Sequence, residues 1–154
     1  QRAICTECQL VHYENPLNVV GTVPHLGHKV LLCRRNIEPR KGKWTLPAGF
    51  MELGETTSQG AARETSEEAG AQFKMGSLFT VMSVPRVGQV HLYFLAELDN
   101  EIFEPGFETQ EARMFAEDEI PWNELAFRTV QETLQHYFAD KKAGTFGVHT
   151  LTID

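Results

Sequence analysis

The sequence predicts an α+β domain, a curved mixed sheet covered by helices in an α/β/α arrangement, on three observations. Runs rich in β-branched and aromatic residues, separated by Gly and Pro turns, recur along most of the chain. Only two stretches, 56–69 and 122–139, have helical composition or spacing. Those two stretches do not alternate with the strands as βαβ units would, so the elements imply packed layers.

The elements follow in order. Asn18–Pro24 and Lys29–Arg35 are strand-like and flank "HLGH", which reads as a hairpin turn. "NIEPRKGKW" is a loop of Pro, Gly and Lys. Residues 56–69 are rich in Ala, Glu and Gln and predict a helix, with Thr56 or Thr57 as N-cap. Gly70 stands where a left-handed C-cap belongs. "FKMGSLFTVMSVP" and "GQVHLYFLAEL" predict a second hairpin. A loop, a short strand over 112–116 and a turn lead to an amphipathic helix over 122–139, with Leu125, Val130, Leu134, Tyr137 and Phe138 on one face. Residues 1–16 read as an appendage, 17–140 as the main domain and 141–154 as a loosely attached tail.

A chain of 154 residues suits one such domain with a core large enough to need no covalent staples. Its net charge of −7 argues against nucleic acid or an acidic membrane as partner. No apolar run approaches the length of a membrane span, and the first residues lack a signal-peptide pattern. The expected location is the cytoplasm, with an upstream organelle-targeting segment left open. Three cysteines, two of them spaced Cys5-x-x-Cys8, suggest a reducing compartment and a metal knuckle rather than a disulfide framework. Cys33 sits in an apolar strand and reads as a core thiol.

The chemistry is concentrated between Gly49 and Gly70. Five carboxylates lie there against one Arg. A helix turns about 100° per residue, so Glu64, Glu67 and Glu68 share a face roughly 100° wide. Ser58, Ala62, Thr65 and Ala69 form a neighbouring face of small residues that can pack close to a sheet. Carboxylates so placed repel and raise one another's pKa, and those near the helix C-terminus also oppose its dipole. Charge runs are usually solvated faces. The alternative that uses the spacing is a site for hard divalent cations, which take oxygen ligands.

The order of Gly49, Glu55, Arg63, Glu64, Glu67, Glu68 and Gly70 resembles the Nudix box, G-x5-E-x7-R-E-U-x-E-E-x-G-U. All seven fixed positions are met. Thr65 and Ala71 stand at the two aliphatic U positions, a departure that touches packing. The resemblance implies the Nudix fold, with a loop–helix–loop over the box and a C-terminal helix. It implies a pyrophosphohydrolase dependent on Mg²⁺ or Mn²⁺. Glu64, Glu67 and Glu68, with the carbonyl of Ala48 or Gly49, correspond to the metal ligands. Arg63 would orient a box carboxylate, Glu67 or Glu55, and Glu55 would brace the loop. A general base comes from a later loop in many members: Glu111 is the first candidate here and Glu108 the second. Arg34, Arg35 and Arg40 are candidate phosphate contacts, and Pro85 a substrate contact. The family also admits a homodimer.

For the substrate, the run Ser-Gln-Pro-Trp-Pro-Phe-Pro of NADH-cleaving relatives is replaced by "SVPRVGQVHLYF". The layout of "AICTEC", "LLCRRNIEP" and "FAEDEIPWNELAF" is similar to plant plastid FAD pyrophosphatases and their bacterial relatives. A small dinucleotide, FAD or ADP-ribose, is therefore expected, giving AMP and a phosphorylated remainder. Trp44, Phe50, Phe79 and Tyr93 are candidates for an adenine slot. That subgroup also implies a structural zinc ribbon, of which Cys5 and Cys8 would be one half, with His12 a further candidate ligand. The rival readings are a nucleotide-sensing regulator without activity, and a housecleaning triphosphate pyrophosphatase.

Overall fold

The computed structural model describes residues 2–154. Two short strands, β1 (Ala3–Ile4) and β2 (Val11–His12), pair antiparallel and form the N-terminal appendage. The main sheet has eight strands: β3 (Leu17–Leu26), β4 (Lys29–Arg35), β5 (Trp44–Thr45), β6 (Ala48–Phe50), β7 (Phe73–Val84), β8 (Gln89–Leu98), β9 (Thr109–Ala116) and β10 (His149–Thr152). Their spatial order is β10-β7-β8-β3-β4-β5, with β6 on β3 and β9 on β4. Strands β3 and β8 run parallel over nine residue pairs, whereas β7 and β8 form an antiparallel hairpin. The fold class is the one the sequence predicts.

One feature of the sheet positions the site. β3 and β4 pair only beside their hairpin turn, at His25–Val30 and Leu26–Lys29. Beyond that point β3 pairs with β6 and β4 with β5, while β9 pairs with β4 along its whole length, from Lys29 to Arg35. The sheet forks there, and the box loop enters the fork.

Helix α1 (Thr57–Ala69) covers one face and α2 (Arg128–Ala143) the other. Thr56 caps α1 through its hydroxyl, which accepts from the Gln59 amide, while the Gln59 side chain accepts from the Thr56 amide. Gly70 closes the helix at φ 59°, in the left-handed region that favours glycine. The face under α2 holds the large core: Val23, Val30, Leu32, Leu46, Phe79, Tyr93, Val130, Leu134 and Tyr137. Smaller clusters lie on the α1 side, around Leu31, Cys33 and Ala69 and around Val20, Ala61 and Phe94.

Four expectations need correction. The second helix starts at Arg128, not 122: Trp122–Glu124 is a single 3₁₀ turn, and Leu125 bridges to Trp44 outside the helix. It runs on to Ala143, where Gly144 caps it, so the expected boundary at 140 falls inside a helix. The tail is not loose. β10 adds to the sheet parallel to β7, Ile153 is buried, and His149 bonds Asp140 at 2.7 Å. Finally, β9 begins at Thr109, so Glu111 lies within a strand instead of before it. Each miss occurs where partners distant in sequence decide the local structure.

Candidate active site

The cleft at the fork holds about 510 Å³, and Glu52, Glu64, Glu68 and Glu108 are among its lining residues. Val19, Ile37, Pro39, Phe50, Met51, Gln89, His91 and Phe127 also line it, as do Arg35, Ala48 and Gly49. A second hollow of about 390 Å³ shares those four acids and adds Arg63, Glu67 and the 106–108 loop.

The small residues of α1 set the approach. Gly60, Ala61, Thr65 and Ala69 are buried against the sheet. Gly49 faces the Glu64 carboxyl so closely that a Cβ on it would stand 2.3 Å from the Glu64 Cδ. At the other end, Glu104 donates its amide to the Ala69 carbonyl, and a Cβ on Gly106 would meet the Glu67 carbonyl at 2.4 Å. These contacts seat the 104–108 loop on the C-terminal turn of α1 and bring Glu108 to Glu64 and Glu68.

Arg63 is the hub of the box. Its Nε and one terminal nitrogen donate to both Glu55 oxygens at 3.0 and 2.9 Å, a two-pronged pair. The other terminal nitrogen donates to Glu64 at 2.8 Å and Glu67 at 3.3 Å. The Phe50 carbonyl accepts a further bond, and Glu55 accepts from the Glu52 amide, so Arg63 ties the 50–55 loop to the helix. The Arg63 hydrogen bonds hold the Glu55 carboxyl below its usual value.

Glu68 makes no bond to Arg63 and, among the described residues, accepts only from the Ala48 amide, at 2.9 Å. Burial pushes its carboxyl up to about 8, against the Ala48 bond; Glu64 and Glu108 push the same way, and Arg35 opposes. Burial also raises Glu64, against its bond to Arg63. Two buried carboxyls with raised proton affinity, and two more acids around them, form an all-oxygen donor set with spare negative charge. That suits a hard divalent cation in place of the protons. Among the described residues no three His, Cys, Asp or Glu side chains are already closed into a cage. Arg63 takes one oxygen of each of Glu64 and Glu67, Oε1 and Oε2 respectively, which leaves the second oxygen of each for the ion.

The other expected residues divide. Arg35 lines the cleft, its guanidinium 5.1 Å from the Phe127 ring centre and bonded to the Pro39 carbonyl. Arg34 points to the Gly42 carbonyl, and Arg40 and Pro85 are not among the lining residues. Glu111 is ion-paired to Arg113 outside the cleft. Phe50 lines the cleft, whereas Trp44, Phe79 and Tyr93 are buried in the core. Sequence reasoning missed Glu52, Gln89, His91 and Phe127. Gln89 and His91 carried a signal: they are polar at the positions of β8 that continue the face of core residues Tyr93 and Leu95.

The appendage places Cys5 and Cys8 on one turn, where the Cys8 and Glu7 amides hold the Cys5 thiol below its ordinary value. Both are exposed, and His12 does not complete a cluster with them among the described residues.

A forked sheet whose box helix turns buried carboxylates into a cleft is the arrangement of the Nudix hydrolases. A profile of the NUDIX domain matches residues 16–138, and the chain belongs to that family, as a pyrophosphohydrolase. It is 33% identical over 119 residues to an ADP-ribose pyrophosphatase of Methanocaldococcus jannaschii, covering 75% of this chain and 69% of the relative. It is 27% identical to the NAD-capped RNA hydrolase NudC of Vibrio parahaemolyticus, over 88% of this chain but 54% of that protein. The chain thus spans about half the length of that relative. A NUDIX hydrolase structure from Nitrosomonas europaea superposes with a TM-score of 0.95 at 48% identity, covering 99% of this chain and 86% of the other.

Proposed function

We propose that the protein hydrolyses the pyrophosphate of a small dinucleotide, ADP-ribose or FAD, releasing AMP and a phosphorylated remainder. The observation that carries this is the mixed lining of the cleft, which combines four carboxylates with uncharged and aromatic groups. That suits a substrate with a pyrophosphate and a bulky organic half, and its size suits a small molecule. The similarity to an ADP-ribose pyrophosphatase supports the ADP half.

Glu64, Glu67 and Glu68, with a carbonyl of Ala48 or Gly49, would hold Mg²⁺ or Mn²⁺. The bound cation would neutralise the pyrophosphate oxygens and lower the pKa of the attacking water. Arg63 keeps Glu64 and Glu67 oriented, and Glu55 anchors Arg63. Glu108 is a better candidate than Glu111 to take the proton from water, because it lines the same cleft as Glu64 and Glu68. Arg35 would face the phosphates. The Cys5–Cys8 turn would supply two thiolates of a structural zinc site whose other two ligands come from elsewhere. The similarity to NudC relatives favours one second reading, cleavage of NAD or an NAD-capped end, which shares the ADP half.

The test is a panel of ADP-ribose, FAD, NADH, NAD-capped RNA and nucleoside triphosphates, with and without Mg²⁺ or Mn²⁺, read by phosphatase-coupled monoester release. Metal-dependent cleavage of ADP-ribose or FAD is expected, with kcat/KM at least about 10-fold above the other substrates. Preference for triphosphates, or for NAD-capped RNA, would replace this reading.

A further inference from the structure

Gln89 and His91 both line the cleft, two residues apart on β8 and so on one face of the sheet. The imidazole Nε2 bonds the Gln89 side-chain oxygen at 2.8 Å. The other ring nitrogen, Nδ1, is sealed from solvent and bonds no group of the protein among the described residues. Burial holds the ring neutral, with its pKa near 4. A neutral ring has one N–H, and the carboxamide oxygen takes it at Nε2. The Gln89 NH₂ is then turned away from the ring, and among the described residues no protein group accepts from it. A buried unpaired ring nitrogen costs stability that an apolar side chain would avoid, so packing alone does not account for His91.

We propose that Gln89 is a specificity-determining contact for the uncharged half of the substrate, donating its amide N–H to a hydroxyl, carbonyl or ring nitrogen, and that His91 is the positioning residue that aims it. This rests on the dinucleotide reading above and adds which residues read the organic half. A neutral pair adds no positive charge to balance a phosphate, so the contact is assigned to the sugar or base, and the cation and Arg35 to the pyrophosphate.

The test is steady-state kinetics of the wild-type chain and the variants Gln89→Ala, His91→Leu and the double variant, on ADP-ribose and FAD with Mg²⁺, together with their melting temperatures. Each single variant should raise KM for the preferred dinucleotide roughly 10-fold, the worth of one neutral hydrogen bond, with kcat within about 2-fold. The double variant should be no worse than Gln89→Ala, because His91 acts through Gln89. His91→Leu should melt no lower than wild type, which a purely structural histidine would not allow. His91→Gln, which keeps a donor near the Nε2 position, should recover part of the KM. Unchanged KM in both single variants, or additive losses in the double, would overturn the inference while leaving the function standing. Failure of the wild type to cleave any dinucleotide would overturn the function and this contact with it.

Discussion

The two helices cover opposite faces of one sheet and pack in opposite ways. α2 buries Val130, Leu134, Tyr137 and Phe138, large side chains that carry most of the apolar area on their side. α1 buries Gly60, Ala61, Thr65 and Ala69, which contribute little area but let the helix lie close. Closeness is what the site uses, because it brings Glu64 and Glu68 into the fork. One helix therefore holds the sheet together and the other delivers charge to it. Substitutions of the α1 glutamates should strike turnover and spare the fold, and those of the large α2 core residues should do the reverse.

Glu68→Gln should produce the largest effect, a fall in kcat of about 10³-fold, or roughly 4 kcal/mol of transition-state stabilisation. Its metal-free melting temperature should equal or exceed that of wild type, since the buried acid carries a proton at neutral pH and Gln resembles that form. The pH dependence gives the sign. The folded-state pKa of about 8 lies above the ordinary 4.5, so the native state binds the extra proton. The metal-free protein should be most stable below about pH 4.5 with respect to this group, losing that contribution as pH rises through about 8. Thermal melts from pH 5 to 9, with and without Mg²⁺, check this. Mg²⁺ should protect more at high pH, where it no longer competes with the proton. A flat profile in the metal-free wild type would remove the buried-acid account.

On the other face, Leu134→Ala should cost about 3 kcal/mol, because the side chain is fully buried in the large core. The melting temperature should fall roughly 6–12 °C. At 20 °C kcat should stay within about 2-fold of wild type. A comparable loss of turnover would show that α2 also tunes the site, through Phe127 at its N-terminus.

Arg63→Lys tests the hub. Lysine keeps the charge but cannot fork across Glu55 while also reaching Glu64 and Glu67. Turnover should drop about 10–100-fold, and the Mg²⁺ concentration for half-maximal rate should rise. The melting temperature should move little, because the pairs are partly exposed to water.

The difference between the helices also explains what the sequence revealed. α1 was legible to within a residue, because its caps and charge spacing are local properties of Thr56, Gly70 and the glutamates. The hairpins at Gly27 and 85–88 were legible for the same reason. The 104–108 loop was not, since its seat on α1 depends on Gly106 and Gly70 meeting partners far along the chain. The tail was misread because its polar alternation becomes a strand only beside β7. The sequence ranked Glu111 ahead of Glu108 as a loop acid, but β9 pairs Glu111 with Arg113 while Glu108 lines the cleft.

The smallest expected effect concerns the box position where Thr65 replaces an aliphatic residue. Its hydroxyl donates to the Ala61 carbonyl at 2.8 Å and accepts from the buried Thr22 hydroxyl at 2.7 Å. The chain of bonds has a direction, and so should the mutants. Thr65→Val orphans the Thr22 donor and should cost roughly 1–2 kcal/mol. Thr22→Val removes a donor but leaves Thr65 bonded to Ala61, and should cost less than about 1 kcal/mol. With both replaced no buried hydroxyl is stranded, so the double variant should be more stable than Thr65→Val alone. Urea denaturation of the four proteins measures the coupling. If Thr65→Val matches wild type, the hydroxyl pair does nothing for stability, and close packing alone keeps α1 on the sheet.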